Sequence, residues 1–326
     1  MLFRSNEFFY LDTTRHADEL EFTGVNVRNA NGDGQTAVVE SRNDDYNEGF
    51  DARKSLLGLS VDVNTEIPLN RYGFFEGLHG ELLPNSRIEI NVDIEKDDDL
   101  IWQAGANCRV VLTKFQLIIP RIVFNDDGKS LYAERFLQTR KWTYLRELVE
   151  PSESMTQRQG TWRISSGINK PRHVFVFIVN DARVANATAQ QNNKFLYDTF
   201  NPGGGNRKLN SCHLEVGNGK DYPEVHYKPN TEPTRVFRDL LRFAHANNYY
   251  AGDTLINRSN FESLYQLVYF DLTRQPEDVK DGSTKLSFTY ELSDTAVANY
   301  TIYAFVLYEQ DIEVRKKDGK LTLRSM

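Results

Sequence analysis

The sequence is poor in cysteine, in long apolar runs and in basic charge, and each shortage excludes a class of protein. Its two cysteines, Cys108 and Cys212, lie far apart in a chain of 326 residues, which excludes a disulfide framework and any Cys-x-x-Cys motif. No stretch approaches the roughly 18 consecutive apolar residues of a transmembrane helix. A net charge of −7 argues against a strongly basic nucleic-acid-binding surface. We expect free thiols in a reducing compartment, and no secretory signal, because no basic stretch followed by an apolar core begins the sequence.

What the sequence does have is hydrophobic residues that recur with a period of two, which is typical of strands with one buried face. This alternation is found at Leu57–Val63, Ile88–Glu95 and Leu286–Leu292. Three further runs are apolar on both faces, as expected of strands in the centre of a sandwich or beneath a neighbouring subunit: Phe115–Ile119, Val174–Val179 and Ile302–Tyr308.

Turn chemistry separates these runs. Asn125–Lys129 and Lys317–Lys320 both carry Asp-Gly between apolar segments, which predicts two β-hairpins because glycine accepts the positive φ of such turns. We count roughly seven or eight strand candidates on each side of residue 150. With so few helical segments, the pattern favours an all-β sandwich class.

One segment has clear helical periodicity. Its apolar residues form a single stripe, preceded by Pro233 and by Thr234 as the predicted N-cap. The stripe consists of Val236, Phe237, Leu240, Leu241 and Ala244. A weaker helix is predicted through Phe74, Phe75 and Leu78.

Histidine is the residue type most worth testing for a metal site. None of the six histidines has the His-x-x-x-His spacing, and no carboxylate completes a zinc motif. His213 and His226 flank a predicted hairpin or loop, and ordinary surface or hydrogen-bonded histidines are the favoured interpretation.

Three loops have some features of ligand-binding loops. Gly203–Lys208 lacks the Gly-Lys-Ser/Thr ending of a phosphate loop. Asp97–Asp99 is expected to be a solvated loop, and Asn125–Gly128 lacks the spaced later Glu of a calcium loop. Together with the absence of a Gly-x-Ser-x-Gly elbow, this predicts no catalytic residue, no cofactor-binding residue, no metal ligand and no cofactor.

Two small basic patches, Arg140-Lys141 and Arg315–Lys317, are candidates for contact with DNA or with an acidic neighbour. On an acidic protein such patches are more often ordinary surface.

Several segments in the first part of the chain resemble the first barrel of double-jelly-roll capsid proteins encoded by Polinton/Maverick elements and adintoviruses. These are Asn47–Arg53, Ile67–Leu69, Gly73–Phe75 and Leu83–Ile88. The second half is similar to the same family over a longer series: Pro171–Val176, Asn193–Phe195, Phe200-Asn201, Leu214, Gly217–Gly219, Tyr222-Pro223, Arg238–Ala246, Gly252–Ile256, Phe270–Thr273, Leu286–Phe288, Tyr303–Gln310 and Ile312–Val314. Their order and spacing over residues 47–325 carry the resemblance more than any single motif.

The resemblance implies a fold of two consecutive eight-stranded antiparallel jelly rolls with one or two short helices, in the adenovirus-like capsid lineage. We expect an N-terminal roll over residues 1–150 and a C-terminal roll over 151–326. Eight strands of about six residues plus loops need roughly 130–170 residues per roll, so two rolls fit the length.

The resemblance also implies a function. We expect a non-enzymatic major capsid protein that forms homotrimers, which are pseudo-hexameric tiles of an icosahedral shell. Its expected partners are further copies of itself, penton and minor capsid proteins, and double-stranded DNA that it encloses without sequence recognition. Its expected location is the virion capsid, after synthesis in the host cytoplasm and assembly in the nucleus or a cytoplasmic factory.

Two alternatives stay open. The first is a minor or vertex capsid protein. The second is a carbohydrate-binding or hydrolytic β-sandwich, in which Trp102, Trp142 and Trp162 would form a stacking platform, although tryptophans of large β proteins are more often core residues.

Overall fold

The computed structural model of the chain describes most of its second half and short stretches of its first. The described residues are 73, 75, 89–91, 93, 111–118, 122–136, 140–181, 197–200, 208–217, 219–246, 261, 265–274, 283–294, 300–317 and 320–325. Among the described residues, no helix is long and apolar enough to cross a membrane.

Two helices and eleven strands have bounds within these ranges. The helices are α1 (Asp126–Phe136) and α2 (Pro233–Ala246). The strands are β1 (Arg140–Ser154), β2 (Gln159–Asn169), β3 (Pro171–Asn180), β4 (Tyr197–Asp198), β5 (Leu209–Val216), β6 (Lys220–Tyr227), β7 (Tyr265–Gln266), β8 (Val268–Asp271), β9 (Ser283–Leu292), β10 (Tyr300–Lys317) and β11 (Lys320–Ser325).

The strands form two main antiparallel sheets. The five-stranded sheet has the order β1-β10-β3-β8, with β11 paired to β10, and the four-stranded sheet has the order β2-β9-β5-β6. The short strands β4 and β7 pair in parallel as a separate ribbon. Strand β1 is continuous across residue 150 and pairs with β10 along nearly its whole length.

The strand order is that of a jelly roll. Setting aside the short strands β4, β7 and β11, eight strands remain. In chain order, the first, eighth, third and sixth form one sheet, and the second, seventh, fourth and fifth form the other. Except for the fourth and fifth strands, which pair as a hairpin, successive strands cross between the two antiparallel sheets in the double Greek-key pattern that defines the jelly roll. The predictions of an all-β class and of a jelly roll in the second half are confirmed.

The core lies between the two sheets. Phe270 on β8 and Phe288 on β9 are both fully buried and face each other across it, with ring centroids 6.3 Å apart. Leu214, Leu286 and Val306 are also fully buried. Removing this apolar surface from water is the main stabilising contribution to the sandwich.

Helix α2 covers the outer face of the five-stranded sheet. Val174 pairs with Phe270, so both point into the core, and alternation turns Phe175 and its partner Tyr269 outward. Phe243 of α2 packs on these two rings, at centroid distances of 4.9 Å and 5.1 Å. Helix α2 of the same chain thus covers Phe175, one of the outward-facing residues of the apolar run Val174–Val179.

Two strand predictions in the first half are wrong for the residues that the structure describes. Residues 115–118 of the run Phe115–Ile119 and residues 89–91 and 93 of the run Ile88–Glu95 belong to no strand. Phe115 is 70% exposed, so no paired sheet or packed face holds it. Apolar alternation alone does not make a strand, which also needs a hydrogen-bonded partner. The third run, Leu57–Val63, lies outside the described residues.

The predicted hairpin at Asn125–Lys129 is also wrong, because these residues begin α1. The Asn125 side chain accepts a hydrogen bond from the Gly128 backbone N–H at 2.8 Å, as an N-cap does. Asp126 and Asp127 then occupy the first turn, where negative charge favours a helix.

Of the other local predictions, a hairpin and a helix are confirmed and an N-cap is wrong. Lys317 pairs with Lys320, which confirms the hairpin between β10 and β11. Helix α2 is confirmed, but it begins at Pro233, so Thr234 lies inside the first turn and is not the N-cap. Proline is favoured at this first position because its missing N–H would have no partner there. Phe75 of the predicted weak helix is helical, as is Gly73 just before that segment, and Phe74 and Leu78 lie outside the described residues.

Candidate functional site

Two histidines and an aspartate meet on the outer face of the four-stranded sheet. His213 lies on β5, and Asp221 and His226 lie on β6. The hairpin that joins these strands turns through Gly217 and Gly219, with φ of 66° and 82°, values that glycine adopts without steric cost. The structure thus brings together His213 and His226, which the sequence predicts to be ordinary histidines.

A bulge in β6 creates this meeting. Leu214 pairs with Tyr222, but the next pair is Cys212 with Tyr227, so His213 alone lies opposite the four residues 223–226. The extra residues bend β6 away from regular pairing and set His226 against His213.

Arg235 of α2 holds the bulge in place. Its guanidinium donates hydrogen bonds to the backbone carbonyls of Val225 at 2.9 Å and His226 at 3.3 Å. The same guanidinium lies over the Tyr227 ring, 4.8 Å from its centroid. These contacts fix the backbone of His226 from a second element.

The three side chains are close enough to share one bound atom. The His226 Nε2 atom lies 3.1 Å from Asp221 Oδ2, and the His213 Nε2 atom lies 3.5 Å from Asp221 Oδ1. The two imidazole rings stack with centroids 3.9 Å apart. Counting one ligand atom from each residue, all three lie within 4.8 Å of one another.

Electrostatics favour a neutral His213. Burial lowers its pKa below the usual value, and the neighbouring His226 lowers it further, while Asp221 and Glu215 oppose this. The His213 side chain is 10% exposed, whereas His226 and Asp221 are 35% and 47% exposed. The cluster is therefore anchored on its β5 side and open to solvent on its β6 side.

The surrounding face of the four-stranded sheet is polar. Glu215 pairs with Asp221 in register, so both carboxylates share this face. Thr289 donates to Glu215 at 3.1 Å and is within 2.9 Å of the Thr161 hydroxyl. On this face Thr161 is exposed and Glu215 and Thr289 are half-buried.

A second polar cluster ties together one end of the five-stranded sheet. Asp311 on β10 contacts Lys141 and Lys170 at 2.8 Å and 2.9 Å and accepts a hydrogen bond from Thr143 at 2.6 Å. Burial of Asp311 opposes its ionisation, but these three donors outweigh burial and hold its pKa well below the usual range. The cluster joins β1, β10 and the turn before β3, which is a structural role.

His173 is a third buried polar group. It lies on the outer face of the five-stranded sheet under α2, where its Nδ1 atom is 2.8 Å from the Tyr269 hydroxyl. Burial lowers the pKa of His173 to about 4, so the ring is neutral at pH 7. Among the residues that the structure describes, it belongs to no group of three His, Cys, Asp or Glu side chains that could hold a metal ion.

The other residues weighed in the sequence do not gather into a site within the described ranges. Cys212 is a free thiol in the core, and burial raises its pKa. Trp162 packs against the core, and Lys141 is bound to Asp311. Only the backbone is described for Trp142, Arg140 and Arg315–Lys317. Cys108, Trp102, Asp97–Asp99 and residues 203–207 of the Gly203–Lys208 loop lie outside the described residues.

Sequence reasoning misses Asp221. Antiparallel pairing outward from the turn at Gly217–Gly219 would place Asp221 opposite Glu215 and diagonal to His213. The approach of His226 could not be found in the same way, because the bulge changes the register by three residues.

Comparison with known proteins gives distant likenesses. No family model and no curated protein matches the sequence. Among solved structures, PBCV-1 VP54, fitted into a reconstruction of the virophage Sputnik, matches with a TM-score of 0.35 and 13% identity, covering 61% of this chain and 54% of that one. The Sputnik virophage structure matches with a TM-score of 0.33 and 12% identity, covering 57% and 38%.

The mavirus major capsid protein matches with a TM-score of 0.28 and 10% identity, covering 57% of this chain and 41% of that one. The chain thus spans about half or less of the length of these structures. These TM-scores are too low to assign a fold, and the jelly-roll assignment follows from the strand order.

Proposed function

We propose that the chain is a structural capsid protein that acts by assembly and has no catalytic role. The observation that carries the proposal is the complete jelly roll of β1 to β10, with an interior filled by apolar side chains. Viral capsid subunits are one of the main uses of this architecture. A filled interior favours a structural role over binding of a ligand between the sheets.

We propose further that residues before Arg140 form a second jelly roll. Strand β1 begins at Arg140 and belongs to the C-terminal roll, so the boundary in this proposal lies before residue 140 and not at residue 150. None of the described residues before Arg140 is in a strand, so the eight strands of this proposal, of about six residues each, would lie among the other residues of that segment. The sequence resemblance to Polinton-type capsid proteins, which begins near Asn47, supports this.

Three such chains would then form a pseudo-hexameric trimer, and trimers would tile an icosahedral shell around double-stranded DNA with penton and minor proteins. The proposed location is the virion, after synthesis in the host cytoplasm and assembly in the nucleus or a cytoplasmic factory. A minor or vertex role is distinguished by copy number in purified particles. The carbohydrate-binding alternative loses support from Trp162, which packs on the core.

The test is the mass of the recombinant full chain, measured by size-exclusion chromatography with light scattering over a range of concentration and salt. We expect the mass of three chains. A monomer under all conditions, with no larger particles by electron microscopy, would contradict the proposal.

An exposed apolar residue sharpens this test. Val149 on β1 is 53% exposed on the outer face of the five-stranded sheet, where a subunit neighbour would cover it. We expect Val149→Asp to reduce the trimer fraction without lowering the melting temperature. Glu147→Gln, two residues away on the same face, is the matched control and should leave the trimer intact.

A further inference from the structure

We propose that His213, Asp221 and His226 bind a divalent transition metal of the zinc class on the outer face of the four-stranded sheet. The ligand set of two imidazoles and one carboxylate is of a kind that Zn²⁺ prefers. Nothing in the proposed capsid role requires this site, and it stands independently of that role.

The spacing of the donor atoms supports a tetrahedral ion. With metal–ligand bonds of about 2.0–2.2 Å, the donors of a tetrahedral site lie about 3.3 Å apart. The two imidazole–carboxylate separations are 3.1 Å and 3.5 Å, on either side of that value. Each oxygen of the carboxylate faces a different Nε2 atom, and one ligand atom from each of the three residues lies within 4.8 Å of the others.

The site is held before any ion binds. His213 is fixed in the sheet by its strand and by burial, and the backbone of His226 is fixed by two hydrogen bonds from Arg235. Such preorganisation lowers the entropic cost of gathering ligands. The register partner of Asp221, Glu215, adds a second negative charge to this face and favours a cation.

The exposure of the cluster indicates a metal site with an open coordination position. Asp221 is 47% exposed and His226 35% exposed, so three protein ligands would leave one coordination position open to water. Closed structural zinc sites use four protein ligands, whereas an open position accepts water or a donor from another molecule.

The experiment is zinc titration of the full chain by calorimetry and by competition with a chromogenic chelator, with Mg²⁺ as a hard-cation control. We expect one Zn²⁺ per chain at this site and no binding of Mg²⁺. Asp221→Asn and His226→Ala should weaken zinc binding by more than the roughly 10- to 100-fold cost of losing an outer hydrogen-bond partner of a metal ligand. His245→Ala, at an exposed position in the last turn of α2, is the matched histidine control and should bind as the wild type does.

A spectroscopic readout keeps the proposal testable if a variant fails to fold. Co²⁺ bound to the wild-type chain should give the intense visible absorption of a tetrahedral ion, and added Zn²⁺ should abolish it. Zinc binding that is unchanged in Asp221→Asn and His226→Ala would overturn the proposal. So would a wild-type chain that takes up no Zn²⁺ and shows no such Co²⁺ absorption.

Discussion

The two sheets of the jelly roll differ in what lies on their outer faces. The outer face of the five-stranded sheet carries Phe175 and Tyr269, which pack under Phe243 of α2. The outer face of the four-stranded sheet carries Thr161, Thr289 and other polar residues that face solvent. The same alternation of side chains along the strands thus gives a face packed under a helix on one sheet and a polar face on the other.

This difference indicates which outer face can carry a binding site. A face buried by a helix is constrained by packing, so substitutions there cost stability. A polar outer face has few packing constraints, and it is there that His213, Asp221 and His226 come together.

The largest expected effect is the removal of the helix contact. Phe243→Ala should destabilise the protein by about 3–5 kcal/mol, because a large buried ring is lost and α2 cannot fully close the gap. The free energy of unfolding measured in urea checks this. Arg242 is exposed at the preceding position of α2, and Arg242→Ala should change that free energy by less than about 0.5 kcal/mol.

A loss of comparable stability in Arg242→Ala, or none in Phe243→Ala, would mean that α2 is not the cover of the five-stranded sheet.

The second prediction concerns acid. His173 is neutral in the folded protein with its pKa lowered to about 4, whereas in the unfolded chain it takes up a proton near pH 6.5. The unfolded state therefore binds more protons, and stability falls as the pH drops from about 6.5 to about 4, by about 3 kcal/mol in total. His173→Gln should remove this part of the pH dependence, as measured by urea unfolding between pH 7 and pH 4.

If the wild type and His173→Gln lose stability in parallel over this pH range, His173 is not buried as a neutral ring beneath α2.

The smallest effect is expected on the polar face. Thr289→Val breaks the hydrogen bonds from Thr289 to Glu215 and Thr161, all of which lie at or near the solvent. We expect a cost of less than about 1 kcal/mol by urea unfolding, because water replaces the lost partners. A cost as large as that of Phe243→Ala would show that this face is packed and not open.

Much of the C-terminal roll could be predicted from the sequence. The alternation at Leu286–Leu292 places Phe288 in the core, and the Asp-Gly turn correctly joins β10 to β11. Asn125–Lys129 shows the limit of such signals, since Asn-Asp-Asp-Gly fits a turn as well as a helix N-terminus. The residues that follow would have to distinguish a turn from a helix, but the apolar periodicity of Asp126–Phe136 is too weak to do so.

Features that depend on register could not be predicted. The apolar stripe predicted for α2 omits Phe243, which is buried in the structure. Which face of the helix is buried depends on where the outer face of β3 lies. The cluster of His213 and His226 depends on a bulge in β6, which no spacing rule reveals. The fold class can therefore be predicted from local sequence patterns, whereas the candidate site depends on how the strands pair.

We propose above that the chain is a capsid subunit built on the jelly roll of β1 to β10. The most direct measurement is a cryo-electron microscopy reconstruction of the assembled recombinant chain. We expect a trimer with six barrels in pseudo-hexagonal arrangement, two from each chain, with the barrel boundary before Arg140. A particle with one barrel per chain, or a chain that stays monomeric under every assembly condition, would contradict the account.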